Sequence, residues 1–292
     1  MGERTTTEGF FDAKTGTISY VLWDNATRRA AVIDPVLDFD AKSGRTSTAC
    51  IDVLCACIDR HGLTVDWILE THVHADHLSG AHALQQRTGG RVAIGEGIRE
   101  VRSTFATLYD YAPALAADGE PFDHLFADGE RFRIGDVDAT ALWVPGHTSV
   151  DMAYLVDDAL FVGDTLFMPD VGSARTDFPG GDARRLYRSV RRLLGLPPAT
   201  VVYVCHDYPP ASRKASWQTT VAEQRAHNVH VRDGIDEDAF VAMRTARDAT
   251  LDVPALMLPA IQVNVRAGRL PEAGSNGVAY LRIPINALPA RA

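Results

Sequence analysis

The sequence contains no apolar run near the roughly 18 residues a membrane span requires. Its start, Met1-Gly-Glu-Arg-Thr-Thr-Thr-Glu-Gly, has no apolar core of the kind a secretory signal needs. Basic residues are outnumbered, 29 Lys and Arg against 38 Asp and Glu, and the formal charge of -9 works against nucleic acid or an anionic membrane as a partner. Glycine (23) and proline (15) are too few and too scattered for a fibrous or low-complexity chain. No repeat and no Ser/Gly-rich linker divides the 292 residues. Cysteine is scarce as well. Cys50, Cys55, Cys57 and Cys205 form no C-x2-C pair, which excludes a cysteine-rich zinc module, and they suggest no disulfide framework. With 46% hydrophobic and 23% charged residues, the composition is that of an ordinary globular protein. The expectation is a soluble cytoplasmic chain, one domain over residues 1–292 with an irregular C-terminal extension from about residue 250.

What is present reads as alternating strands and helices. Thr17–Trp23 and Arg29–Ile33 are apolar and β-branched, the second closed by Asp34-Pro35. Ser47–His61 carries Ile51, Leu54, Cys55 and Ile58 at helical spacing and stops at Gly62. Val65–Glu70 predicts a strand, Leu78–Arg87 a helix, Arg91–Ile94 a strand and Gly97–Thr107 a helix. Beyond a loop with Pro113 and Pro121, strands are expected at Arg131–Ile134, Val137–Val144, Met152–Val156 and Ala159–Val162. A helix over Asp182–Leu194 and a strand over Thr200–Cys205 follow, then helices at Ser212–Asn228 and Asp236–Ala249. Pro254, Pro259, Pro271, Pro284 and Pro289 predict an irregular tail. Two successive αβ halves suit two sheets packed face to face with helices outside.

The chemistry concentrates in His72-Val-His74-Ala-Asp76-His77, directly after a strand. Imidazoles at i and i+2 of an extended segment point the same way, so four ligand-type side chains converge within six residues. Further ligands are expected at other strand ends. His147 stands in Pro145-Gly-His-Thr, Asp164 in Val162-Gly-Asp-Thr and His206 in Cys205-His-Asp-Tyr. Two metal arrangements suit these residues. In one, His72, His74 and His147 hold a zinc, Asp76, His77 and His206 hold another, and Asp164 bridges them around a hydrolytic hydroxide. In the other, His72, His147 and Asp164 form a two-histidine, one-carboxylate triad on iron with open positions. The other histidines read as bland: His61 at a helix C-terminus, His82 on a helix after the motif, His124 in a loop, His227 and His230 exposed among charges.

In their order and spacing, these motifs resemble the metallo-β-lactamase superfamily, an αββα fold. Glu70-Thr-His-Val-His-Ala-Asp-His-Leu-Ser-Gly-Ala, Phe161-Val-Gly-Asp-Thr-Leu-Phe, Ala174-Arg-Thr-Asp-Phe-Pro-Gly-Gly and Cys205-His-Asp-Tyr narrow the resemblance to the persulfide dioxygenases. Gln262-Val-Asn-Val-Arg-Ala-Gly and Asn276-Gly-Val-Ala-Tyr-Leu-Arg-Ile-Pro resemble the longer bacterial type. The resemblance implies one Fe(II) per chain that oxidises glutathione persulfide with O2 and water to sulfite and glutathione. It implies the His72, His147, Asp164 triad, with His74, Asp76, His77 and His206 orienting it by hydrogen bonds. Zinc is a substitute that such N/O sites also take up. Glutathione carboxylates call for cations, and Arg175 is the leading candidate, its alternative being an ion pair with Asp177 or Asp170. Tyr208 is a candidate hydrogen bonder to the substrate; Lys214 and Trp217, read on a helix near Tyr208, and Arg266 are further candidates. The rival reading is a dinuclear zinc thioesterase resembling hydroxyacylglutathione hydrolase. A homodimer is expected on base rates, and any sulfurtransferase partner as a separate chain.

Overall fold

The computed structural model describes residues 4–111 and 121–287; the expected loop position Pro113 and the tail position Pro289 lie outside them. One mixed sheet runs in the order β1 (Thr5–Phe11), β2 (Ile18–Asp24), β3 (Arg29–Ile33), β6 (Thr64–Leu69), β8 (Arg91–Gly95), β9 (His124–Phe126). A second runs in chain order: β10 (Arg131–Ile134), β11 (Val137–Trp143), β12 (Met152–Val156), β13 (Ala159–Phe161), β14 (Val201–Tyr203), β15 (Gln218–Thr220). A short three-stranded sheet joins β5 (Arg45–Ser47), β4 (Val36–Asp40) and β7 (Leu78–Ser79).

The period-2 pattern of β2 explains the layering. Ile18, Tyr20 and Leu22 face the second sheet and pack with Phe126, Phe132, Tyr154 and Phe161. Val21 and Trp23, on the opposite face, pack under α1 (Ala49–His61), α2 (Ala81–Thr88) and α3 (Ile98–Tyr109). The outer face of the second sheet is covered by α4 (Ala183–Leu193) and α6 (Glu237–Asp248), with Leu186, Val190 and Phe240 fully buried; α5 (Val221–His227) follows β15 and buries Val221. This is the expected αββα sandwich. Local chemistry sets the helix ends: Gly62 closes α1 in the left-handed conformation, and the Asp182 and Asp236 carboxylates cap α4 and α6.

Four expectations need correction. Leu78–Ser79 is a strand, drawn into pairing with Val36 and Leu37, and the helix begins only at Ala81. Ser212–Asn228 is not one helix: Gln218–Thr220 adds an edge strand to β14, and Thr220 caps α5. His124 lies in β9 and pairs with Glu130. The tail is not wholly irregular, since α7 (Met257–Asn264) packs against the first sheet's helices and β7. Pro259 is tolerated there because it sits in the first helical turn, where its missing N–H costs no intrahelical bond. Among the described residues no helix is long and apolar enough to cross a membrane.

Candidate metal centre

The ends of β6, β11, β13 and β14 deliver their following loops to one place. His72, His147 and Asp164 present one ligand atom each within 4.8 Å of one another, and His74, Asp76, His77 and His206 form an adjoining group by the same measure. All but Asp76 are buried. Glycine makes two of the approaches possible. Gly146 holds φ 150°, and a Cβ there would collide with the Leu186 backbone at the start of α4; Gly163 holds φ 52° against Thr71.

Hydrogen bonds aim the imidazoles. His147 Nδ1 donates to the Arg175 carbonyl at 2.7 Å and His77 Nδ1 to the Leu78 carbonyl at 3.0 Å. His72 Nδ1 meets the Thr71 hydroxyl at 3.0 Å, and that hydroxyl donates onward to Asp34 at 2.8 Å. In each case the Nε2 lone pair is left to face the site. Asp164 Oδ2 stands 3.8 Å from His72 Nε2 and 3.6 Å from His147 Nε2, close to the roughly 3.0–3.4 Å expected of donors bound at about 2.1 Å to one ion. Among the described residues, the buried His77 Nε2 and His74 Nδ1 have no hydrogen-bond partner. The Nε2 atoms of His72 and His147 beside Asp164 Oδ2, and the orphaned His77 Nε2 of the adjoining group, are donors of the kind a metal ion satisfies, so the donor set fits one.

The two halves differ in what else holds them. His206 is gripped from both sides, Nδ1 at 2.5 Å from Asp164 Oδ1 and Nε2 at 2.7 Å from Asp76 Oδ2. Burial opposes charge on its ring, but the Asp164 and Asp76 carboxylates hold it protonated well above the usual histidine range. His74 Nε2 lies 3.0 Å from Asp34, which raises it to about 9 against the same burial penalty. His72 and His77 are pushed the other way, neutral, by burial first and His74 next; His77 falls to about 4. Beneath them Glu70, raised to about 8 by burial and Asp34, accepts from Ser79 Oγ.

Two residues of this support were not read as functional. Asp34 looks in the sequence like a strand terminator, yet it adopts φ 49° and accepts from the Thr71 amide and hydroxyl as well as pairing with His74. Asn264, in α7, donates to the carbonyls of His74 and His77 at 2.8 Å each and accepts from the Ser79 amide at 2.7 Å. The Gln262-Val-Asn-Val-Arg segment was the only signal for it.

The site opens into a cleft of about 540 Å³, within the range of small-ligand pockets. Arg175 and Tyr208 line it as expected, Tyr208 with its ring stacked on His206 at 5.8 Å. The Arg175 guanidinium, however, is committed to the alternative weighed for it, a bidentate pair with Asp177 at 2.6 and 2.7 Å, with a third bond to the Asp252 carbonyl. Its backbone carbonyl is what positions His147. The structure does not bring the other three candidates to the cleft. Lys214 is exposed in a loop, Trp217 packs on Phe11, and Arg266 lies over the Tyr111 ring. Arg247 of α6 was missed; it lines the cleft with no ion-pair partner among the described residues. His230, expected exposed, is buried and accepts from the Ser173 amide at 3.0 Å, because the Gly172 turn folds onto its ring.

A family model described as the metallo-beta-lactamase superfamily matches residues 15–206. A protein of Burkholderia pseudomallei named as a probable metallo-hydrolase is 55% identical over 293 residues, covering 97% of this chain and all of that one. Glyoxylase B2 of Dictyostelium discoideum is 47% identical across 99% of both chains. Mouse mitochondrial persulfide dioxygenase ETHE1 is 27% identical over 88% of this chain and 87% of its own. Among solved structures, ETHE1 from Myxococcus xanthus superposes with a TM-score of 0.72 at 30% identity, covering 90% of this chain and 100% of that one.

Proposed function

The chain belongs to the metallo-beta-lactamase superfamily, and on that premise we propose that it is a persulfide dioxygenase acting on a glutathione-type persulfide at a single Fe(II). The overall change is RSSH + O2 + H2O to RSH + sulfite + 2H+, in which the outer sulfur is oxidised and O2 reduced. Bound iron would supply the Lewis-acid and redox chemistry that couples a persulfide to O2. His72 and His147 through Nε2, and Asp164 through Oδ2, would hold it. The observation that carries this reading is the engagement of His206: both its nitrogens lie at hydrogen-bond distance from carboxylates, Asp164 and Asp76, so neither lone pair is left for a second metal. His206 then fixes Asp164 Oδ1 and leaves Oδ2 for the ion. The likeness to the Myxococcus ETHE1 structure supports the same reading.

The remaining residues bind and orient. The 540 Å³ cleft has room for a tripeptide thiol, and Arg247 is a cation there without a carboxylate partner among the described residues, so it suits one of the substrate's carboxylates. Tyr208 stacks its ring on His206 at the cleft wall, a candidate to touch the substrate. Phe167 and Phe178 supply apolar cover near the reacting sulfur.

The rival reading is a dinuclear zinc thioesterase. It is favoured by the second donor group, with its two orphaned nitrogens, and by the hydrolase name of the 55% identical relative. Oxygen consumption separates them. Anaerobically iron-loaded protein given glutathione persulfide is expected to take up O2 and release sulfite one for one, whereas a zinc-loaded sample does neither. No uptake at confirmed iron occupancy, with thioester hydrolysis by the zinc form, would replace this reading by the rival.

A further inference from the structure

A second and much smaller cavity adjoins the cleft, sharing Ala75, His147 and Phe178 with it. Its volume is about 20 Å³, just above the roughly 10–15 Å³ that one water-sized occupant needs. The wall is apolar and comes from four separate parts of the chain. Val73 belongs to the metal-binding loop, Val101 and Phe105 to α3, Phe178 to the loop before α4, and Met257 and Ile261 to α7. The polar side chains in the wall, His147 and Thr148, are already committed. His147 Nδ1 holds the Arg175 carbonyl at 2.7 Å, and its Nε2 faces Asp164; Thr148 donates through both its hydroxyl and its amide to the buried Asp151.

Those facts choose the occupant. A buried water needs two to four polar partners, and this wall has no uncommitted side-chain donor or acceptor for it. Empty cavities are apolar and stay dry, and a larger one of about 150 Å³ takes up apolar guests such as xenon. A charged tripeptide persulfide is far too large to enter. We propose that the recess holds dioxygen against the His147 side of the metal centre, so that the gas waits on the core side while the persulfide enters through the wide cleft. The proposal rests on the dioxygenase reading and names where one of its two substrates binds. It also gives the C-terminal helix α7 a role at the site, since Met257 and Ile261 close one side of the recess.

The test uses xenon first, because xenon reports on the cavity whether or not the protein turns over. Crystals of the wild type pressurised with xenon are expected to show one anomalous peak bounded by Val101 and Ile261, and crystals of Val101→Phe and Ile261→Phe none. The two substitutions fill the recess from different helices, so one poorly folding variant does not remove the test. In iron-loaded enzyme each is expected to raise KM for O2 several-fold, and more than KM for the persulfide. Ordered water in place of xenon overturns the proposal. So does an unchanged KM for O2 in a folded variant that has lost the xenon peak. Absence of any O2 uptake by the iron-loaded wild type overturns the dioxygenase reading itself, even with xenon bound; absent xenon with uptake intact overturns the recess alone.

Discussion

The seven metal-type residues occupy one pit, but its two sides are built on different principles. On the cleft side, His72 and His147 spend their Nδ1 atoms on a hydroxyl and a backbone carbonyl, and Asp164 keeps Oδ2 unspent between their Nε2 atoms. On the far side, His74 leans on Asp34, and His206 bridges Asp76 and Asp164. Opposite environments act on chemically identical rings. Carboxylates overcome the burial penalty and keep His206 charged, while His72, without so close a carboxylate, stays neutral. A neutral imidazole is a ligand and an imidazolium is a hydrogen-bond donor. The motif His-x-His-x-Asp-His does not by itself say which of its members bind metal.

Removing one residue from each side breaks that comparison most directly. Asp164→Asn is expected to lose both iron and turnover, by more than about 100-fold, since it takes the only carboxylate from the triad. His206→Gln is expected to keep one iron per chain while activity falls roughly 10- to 100-fold, the range for groups that orient a ligand without binding the metal. Metal analysis beside oxygen uptake reads both. If His206→Gln instead drops the protein from two bound ions to one, the far side is a second metal site and the contrast collapses.

A smaller effect concerns what holds the far side in place. Asn264 contributes three buried hydrogen bonds to the backbone of His74, His77 and Ser79. At about 1 kcal/mol each, Asn264→Ala is expected to cost about 3 kcal/mol and to lower the melting temperature by roughly 5–10 °C. Asn264→Asp keeps the acceptor for Ser79 but sets a buried carboxylate against two carbonyl oxygens, so it should cost more than the alanine change. A wild-type melting curve for the alanine variant would mean the loop is held by its own turn and not by α7.

How far this was legible in the sequence follows the range of each interaction. The seven site residues stand in short motifs just past strands, and the chemistry of their types at that spacing is enough to find them. Asn264 is not, because a polar residue in a predicted tail shows nothing of a partner some 190 residues away, and Arg247 on a predicted helix shows nothing of the cleft it lines. Leu78–Ser79 reads as helix for the same reason: its strand character comes from Val36 and Leu37, about forty residues earlier. Trp217 looks helical until β14 claims the next three residues as an edge strand. Arg175 was placed correctly in the cleft, but which carboxylate takes its guanidinium depended on the geometry of the Asp177 turn. Local pattern thus specified the layers and the donors, and long-range pairing specified which donors are free.

His230 offers the mildest test, and it extends the contrast beyond the metal pit. Like His72 it is kept neutral: burial first, and then Arg244 and Arg247, lower it to about 4, and its Nδ1 accepts from the Ser173 amide. The unfolded chain takes up the proton near the ordinary value of 6.5 and the folded chain only near 4. Its contribution to stability is therefore complete above pH 6.5 and is lost as pH falls toward 4, by up to about 1.4 kcal/mol per pH unit. His230→Gln, whose amide oxygen can accept from Ser173, should flatten that part of the denaturation profile and leave the region above pH 7 little changed. An equally steep acid slope in the variant would show that the ring is not held neutral, and that burial there, unlike at His72, does not decide the charge.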